Sequence, residues 1–372
     1  MKILFIATNI PTIKRRSNGV ILRIANMLSM NHQVEVVFPK EIIPFWLRFK
    51  SKFKSLYNLK DFEIANQKIT VLRYLRLPFK PFAFFFLKFI NIGKFTQNQY
   101  DIIHAHFLFP DGLIAQQIAH QSKRPYVVSI RYSDVAMIES TWKHSPTIQK
   151  AKVCLENASA VHVLNDYTGI WMKDKFQIDC SVIPHGVELV DSGEVTKSNQ
   201  KLRITCVAEF IPLKQIDWVI QAIKSYNGQQ NIELSIVGGG PLEAVLKAMK
   251  GTDNRIKFKG HIPHNQVMQI LNESTIFVMP STKETFGLVY LEAALMHNAI
   301  IAYHKYSING IFEPEEEALF CSGYDDFKQQ LHRLIENPVL INKLADNARK
   351  KVQEMDWGAI IKRYEHLYES TI

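Results

Sequence analysis

Short apolar runs alternate with helix-period stretches along almost the whole chain, and few folds admit that alternation. The runs fall at Ile3 to Ala7, Val34 to Phe38, Ile102 to Ala105, Tyr126 to Ile130, Ala160 to Leu164 and Cys180 to Ile183, with helical patterns at Val20 to Ser29 and Gly112 to His120. A strand parallel to its predecessor needs a crossover, usually a helix, so the pattern specifies parallel sheets. A polar, turn-rich stretch from Glu188 to Gln200 separates this series from a second one. There, Leu202 to Val207, Ile232 to Val237, Thr275 to Met279 and Ala299 to Tyr303 read as strands, and Ile216, Val219, Ile220 and Ile223 mark one helix face. The expected fold is α/β, with two facing Rossmann-like domains of parallel sheets and an interdomain cleft. The expected domains are 1–190 and 191–355, with a C-terminal helix, 356–372, packing back on the first domain. Open α/β sheets bind ligands beyond the carboxyl ends of their strands, so the active site is expected in the cleft.

At 372 residues and 47% hydrophobic content the chain can bury two cores. The formal charge of +10 is unevenly spread: between Glu41 and Asp101 the acids are Asp61 and Glu63, against many lysines and arginines. Phe45 to Lys54 alternates apolar and basic residues, and Pro78 to Phe89 is dense in phenylalanine beside Lys80 and Lys88. Cations with aromatic anchors suit anionic lipid headgroups, so peripheral membrane contact through the 45–94 segment is expected. The alternative is a set of core phenylalanines under a solvated basic face. No nucleic-acid module is recognisable, and no nucleic-acid partner is expected. Four scattered cysteines without a CxxC spacing suggest neither zinc nor a disulfide framework and fit a reducing compartment. The opening MKILFIATNIP reads as a first strand, not a leader, and no apolar run reaches the roughly 18 residues of a membrane span. A cytoplasmic location, at the inner face of the membrane, is the expectation.

Three stretches carry candidate chemistry. Gly238-Gly239-Gly240-Pro241 follows an apolar strand and precedes a helix, so Gly238 and Gly240 could bring bare backbone to an anion or simply make a tight turn. Lys14 to Gly19 forms a similar turn after the first strand, where Arg15, Arg16 and the amides near Gly19 suit a phosphate or make a solvated basic loop. In KETFGLVYLEA, Glu284 and Glu292 stand eight apart. On one continuous helix they would be about 12 Å apart along the axis, beyond the roughly 5 to 9.5 Å of hydrolase carboxylate pairs. A better arrangement places Glu284 in the loop after Pro280, Phe286 and Gly287 at the turn into a helix, and Glu292 on that helix's inner face. The two carboxylates then grip one elongated ligand. In a sugar nucleotide, Glu292 would accept from ribose hydroxyls, Glu284 from a sugar hydroxyl, and amides near Gly287 and Leu288 would meet the diphosphate. Otherwise Glu284 caps a helix and Glu292 lies on the surface.

The motif PSTKETFGLVYLEAAL, with DIIHAHF at 101–107, IPHGVEL at 183–189, VAEFIPLKQIDWVIQAI at 207–223, IVGGGP at 236–241, IKFKGHIP at 256–263 and DWGAIIKRYEHLY at 356–368, resembles the retaining family 4 glycosyltransferases of GT-B fold. The resemblance implies sugar transfer from a nucleotide diphosphate sugar with retention and without a metal. No cofactor is implied beyond the donor substrate. It implies that Lys214 binds the diphosphate and that the segment holding Ile262 lines the nucleobase pocket; no D-x-D motif occurs. Two departures stand out. Glu209 replaces the family's usual phosphate-binding arginine, and Arg131 stands where a histidine is common. Arg131 is a candidate to compensate, and Asp134 could contact the acceptor or the transferred sugar, or cap a helix. The expected catalytic set is Glu284, Lys214, Arg131 and Asp134, acting on a lipid-linked saccharide in the synthesis of capsule, O-antigen or exopolysaccharide. The competing expectations are a catalytically weak partner subunit of the same fold and a sugar-nucleotide epimerase.

Overall fold

The computed structural model describes residues 1–12, 19–42, 59–189, 197 and 201–372. Its contacts divide the chain into two compact units. The first comprises Met1–Leu164, Thr168–Ile183 and Ile361–Ile372; the second comprises Asn165–Tyr167 and Pro184–Ile360.

The first unit holds β1 (Lys2–Ile6), β2 (Gln33–Ile42), β3 (Phe62–Ile64), β4 (Gln67–Leu75), β5 (Ile102–Ala105), β6 (Tyr126–Ser129), β7 (Ala160–Val163) and β8 (Ser181–Val182). They form one sheet in the order β3-β4-β2-β1-β5-β6-β7-β8. Ile3, Leu4, Phe5 and Ile6 are fully buried, as a strand covered by crossover helices on both faces requires. The pairings are parallel except β3 with β4. That hairpin is absent from the expected strands, because Ala65 and Asn66 turn it with positive φ of 50° and 61° and without the usual glycine.

The second unit holds β9 (Leu202–Val207), β10 (Ile232–Val237), β11 (Ile256–Gly260), β12 (Ile276–Met279), β13 (Ala299–Tyr303) and β14 (Leu319–Cys321). Its order is β11-β10-β9-β12-β13-β14, parallel throughout. The edge strands β11 and β14 also escape the sequence pattern: Lys257 and Lys259 interrupt the apolar run of one, and the other is three residues long. The helix Ile216–Ser225 buries Ile216, Val219, Ile220 and Ile223, the face its spacing specifies. In both sheets the chain steps outward one way and then returns past the first strand, which creates a switch point between β1 and β5 and another between β9 and β12.

A polar chain fastens the C-terminal helix to the first sheet. Tyr368 Oη lies 2.6 Å from His104 Nδ1, His104 Nε2 is 2.8 Å from Ser129 Oγ, Ser129 Oγ is 2.6 Å from His162 Nδ1, and His162 Nε2 is 2.9 Å from the Ile183 carbonyl. The carbonyl can only accept, so each proton is assigned in turn: His162 Nε2–H donates to Ile183, Ser129 to His162, His104 to Ser129 and Tyr368 to His104. Both imidazoles are therefore neutral. Burial, followed by the Arg131 charge, holds His162 down to about 3, and burial together with the neighbouring rings lowers His104 as well. Because the folded pKa of His162 is depressed, protonation favours the unfolded chain once the pH falls below the ordinary value near 6.5. His162→Gln removes that term. Its stability deficit relative to wild type should shrink by about 2 kcal/mol between pH 8 and pH 5 in denaturant titrations. A deficit independent of pH would contradict the neutral assignment.

Candidate functional site

At the second unit's switch point, two loops are tied together before any side chain is considered. The Leu213 carbonyl accepts from Thr282 N at 3.0 Å and from Ser281 Oγ at 3.3 Å, joining the turn after β9 to the segment after β12. That tie brings Lys214 and Glu284 together across 70 residues of chain, with Nζ donating to Oε2. Their side chains are 16% and 17% exposed, sheltered enough for the pair to hold yet open to a ligand. The other Glu284 oxygen accepts from Thr285 N at 3.1 Å.

Gly287 follows with φ of 80° and forms the N-cap of the helix Leu288–Leu295. A Cβ there would stand 2.7 Å from the Tyr290 ring, so both conformation and space exclude a side chain. The amides of Leu288 and the next residue open this helix, where its dipole favours an anion. Glu292 lies within the same helix, its carboxylate 19% exposed and 2.9 Å from His264 Nε2. The glutamates thus occupy a loop and a helix.

Other expected donor residues are placed differently. The Phe286 ring is buried in the core, packed edge-on against His185 at 5.0 Å, and its carbonyl accepts from Ser307 Oγ at 3.0 Å. Gly238 and Gly240 have φ of 133° and 156°, and their missing Cβ atoms would lie 1.9 Å from the Ala208 carbonyl and 2.8 Å from Phe210 N. These glycines serve the close approach of the chain after β9, which the Phe210 N to Gly239 O bond of 2.9 Å completes. Ile262 is half-buried in the loop between β11 and the helix His264–Glu273, and Glu209 is exposed at the end of β9.

In the first unit, Gly19 is left-handed at 67° and forms the N-cap of the helix Val20–Leu28 with open space around it, whereas Arg15 and Arg16 lie outside the described residues. Arg131 is buried at the end of β6, with Nε donating to the His106 carbonyl at 3.4 Å. Its two terminal nitrogens are enclosed, with the Tyr364 side chain as a neighbour. Burial lowers its pKa, and Tyr364 and Asp134 oppose that shift. Asp134 caps the helix that follows β6: Oδ2 accepts from Arg131 N at 2.9 Å and Oδ1 from Phe109 N at 3.2 Å. Burial raises it to about 7 despite those bonds.

Four residues at these sites were not singled out from sequence: His264, Tyr364, Thr8 and Asp111. Asp111 is buried beside the end of β1, accepts from Thr8 N at 3.0 Å, and is driven well above the carboxylate range by burial. Its only sequence signal is the Asp-Gly pair after HAHF. Among the described residues, no group of three or more His, Cys, Asp or Glu side chains is placed to hold a metal ion, and no helix is long and apolar enough to cross a membrane.

The family model "Glycosyltransferase Family 4" matches residues 19–191, and "Glycosyl transferases group 1" matches residues 190–351. The chain belongs to the family 4 type of GT-B glycosyltransferases. It is 24% identical over 396 aligned positions to the putative teichuronic acid biosynthesis glycosyltransferase TuaC of Bacillus subtilis, covering 100% of this chain and 98% of that one. It is 21% identical to the alpha-monoglucosyldiacylglycerol synthase of Acholeplasma laidlawii, covering 94% and 93%. Among solved structures, sucrose-phosphate synthase from Thermosynechococcus elongatus superposes with a TM-score of 0.74 at 17% identity, over 99% of this chain and 98% of that one. The protein is thus a GT-B glycosyltransferase with relatives in polysaccharide and glycolipid synthesis.

The glycine contacts make an internally controlled prediction. A Cβ on Gly239 would meet only Glu243 Oε2, at 3.8 Å, so Gly239→Ala should leave the melting temperature nearly unchanged. Gly238→Ala drives a methyl into a backbone carbonyl and should cost roughly 3 kcal/mol or more. Equal melting temperatures for the two variants would refute the packing role.

Proposed function

We propose that this protein is a retaining, metal-independent hexosyltransferase that moves a sugar from a nucleotide diphosphate sugar to a hydroxyl of a lipid-linked saccharide in cell-surface polysaccharide synthesis. The observation that carries the reading is the Lys214–Glu284 pair beside the left-handed Gly287 that opens the helix bearing Glu292. A cation and a helix N-terminus suit the diphosphate, and the two carboxylates suit hydroxyl donors on either side of it. In this reading Glu292 accepts from the ribose, Glu284 from the transferred sugar, and Lys214 neutralises charge on the departing phosphate. The bond from anomeric carbon to phosphate oxygen breaks as the acceptor oxygen bonds to the same face, and the acceptor proton passes to the leaving phosphate. That order retains configuration. Lys214 and the helix N-terminus supply the charge that a metal ion would otherwise provide, and no cofactor enters.

Arg131 in the first unit is the further cation proposed to act on the donor phosphate or the sugar. Its deep burial supports this, since a buried guanidinium is more stable with an anion to meet. Membrane contact is supported by Phe79, Phe82, Phe85 and Phe89, exposed beside Lys80 and Lys88, although Phe84 and Leu87 of the same run are core. The part of that segment from 43 to 58 lies outside the described residues. A working position at the cytoplasmic face of a membrane is part of the same proposal and suits a lipid-linked acceptor.

Thermal shifts with UDP, GDP, ADP and dTDP and their sugars test the donor reading. A bound ligand at 100 times its dissociation constant adds about 2.7 kcal/mol, and Glu292→Ala should abolish the shift. Lys214→Ala and Glu284→Ala should each lower turnover roughly a hundredfold or more. No shift with any nucleotide would favour a non-catalytic partner subunit, a reading that Glu209 supports, and conversion of the donor without acceptor would favour an epimerase.

A further inference from the structure

The first unit carries a cavity that none of this chemistry uses. Its volume is about 540 Å³, and it lies among the helices Tyr132–Glu139, Pro146–Glu156 and the end of Asp166–Phe176. Ile138, Ile148 and Phe176 give it apolar surface. Lys143, Lys152 and Lys175 also line it, against Glu139 as the acid among the lining residues. Lys152 is partly neutralised by Glu156 at 3.6 Å.

The chain that carries the lining residues is also bonded, through other side chains, to the exposed phenylalanine segment. Lys80 Nζ donates to Ser140 Oγ at 2.8 Å, Thr147 Oγ1 to the Lys80 and Pro81 carbonyls at 2.8 and 2.9 Å, and Lys150 Nζ to the Phe84 carbonyl at 2.9 Å. Beside the cavity, Trp142 is 66% exposed and edge-on to His144, a lining residue. Two ammonium groups, Lys88 and Lys150, stand over the single Phe85 ring at 5.5 and 6.0 Å. Burial and then the Lys88 charge lower the Lys150 pKa, so the two cations repel outside the cavity and add to the positive field of this face.

We infer that this cavity is a headgroup site for an anionic phospholipid, with Lys143 and Lys175 meeting the phosphate while Phe85, Phe89 and Trp142 enter the headgroup boundary. A free phosphate would satisfy the lysines but has no use for the apolar lining or the exposed rings. A phospholipid uses both, because its glycerol and upper acyl chain follow the phosphate. The inference deepens the membrane part of the proposed function and is independent of the donor chemistry.

Co-sedimentation of the full chain with phosphatidylcholine vesicles, with and without phosphatidylglycerol, tests it. Binding should require phosphatidylglycerol, and the paired change Lys143→Ala with Lys175→Ala should weaken it roughly thirtyfold, the effect of two cations lost from an anionic surface. Lys257→Ala with Lys259→Ala, on the exposed edge of β11, removes the same charge elsewhere and should leave binding nearly intact. Phe89→Ser and Trp142→Ala should each weaken binding further without abolishing its phosphatidylglycerol dependence. Equal losses from both lysine pairs would mean that net charge alone attracts the membrane and would overturn the site. Millimolar inorganic phosphate that displaces the protein from vesicles through Lys143 and Lys175 would make the cavity a soluble-phosphate site instead. Nucleotide-induced stabilisation, read on the same samples, keeps the two proposals separate. Its absence in wild type sinks the donor reading and leaves the vesicle result standing, and its retention in the lysine variant shows an intact fold.

Discussion

A parallel strand can be reached only by a crossover, and the crossover's helix covers a face of the sheet. Both faces are then closed. What remains open is the row of loops at the carboxyl ends, and among these the two that diverge where the strand order reverses. In each unit the candidate residues stand at that divergence: Thr8, His106 and Arg131 around β1, β5 and β6, and Lys214, Glu284 and Gly287 around β9 and β12. The fold thus decides where chemistry can occur before any particular side chain decides which chemistry it is.

Each unit meets the cost of placing charge at such a point differently. In the second, Lys214 and Glu284 keep each other company near the surface, so neither is a lone buried ion. In the first, Arg131 is deeply buried, and its neighbours are arranged around a positive charge. His104 and His162 are held neutral by burial and by Arg131 itself, and the hydrogen-bond chain through Ser129 uses every imidazole nitrogen of the two rings. Ionising either histidine would add a second uncompensated cation and break the run of bonds to the C-terminal helix. Helix docking and the charge state of Arg131 are therefore one electrostatic problem with one solution.

The periodicities were legible in sequence because burial acts residue by residue along the chain. Ile216, Val219, Ile220 and Ile223 announce a buried helix face, and Gly287 before an apolar helix announces a turn. What escaped depends on partners far apart. Nothing near Glu292 points to His264, 28 residues earlier, and nothing near Gly238 reveals the Ala208 carbonyl 1.9 Å from where its Cβ would stand. Asp134 shows the same limit from the other side. The sequence presents a carboxylate after an arginine, which serves catalysis and capping equally well, and only the bonds to Arg131 N and Phe109 N reveal the cap. The β3–β4 hairpin was hidden because Ala65 and Asn66 accept positive φ without advertising it.

The Lys214–Glu284 pair also bears on the departure at Glu209. In the proposed reading a diphosphate must come beside an edge that carries an extra carboxylate in place of a cation. Had Lys214 been a free ammonium, a ligand would have gained its full charge but would have left Glu284 and Glu209 unopposed in the empty protein. In that reading the paired side chains would exchange partners on binding, Lys214 turning to phosphate and Glu284 to sugar hydroxyls, and each would enter and leave the bound state with its hydrogen bonds satisfied. Such an exchange contributes less raw affinity than an unpaired lysine would. It selects instead for a ligand that offers an anion and a hydroxyl at the right separation, because either group alone strands one member of the pair. Glu209, exposed in water at the end of β9, then costs little when the site is empty.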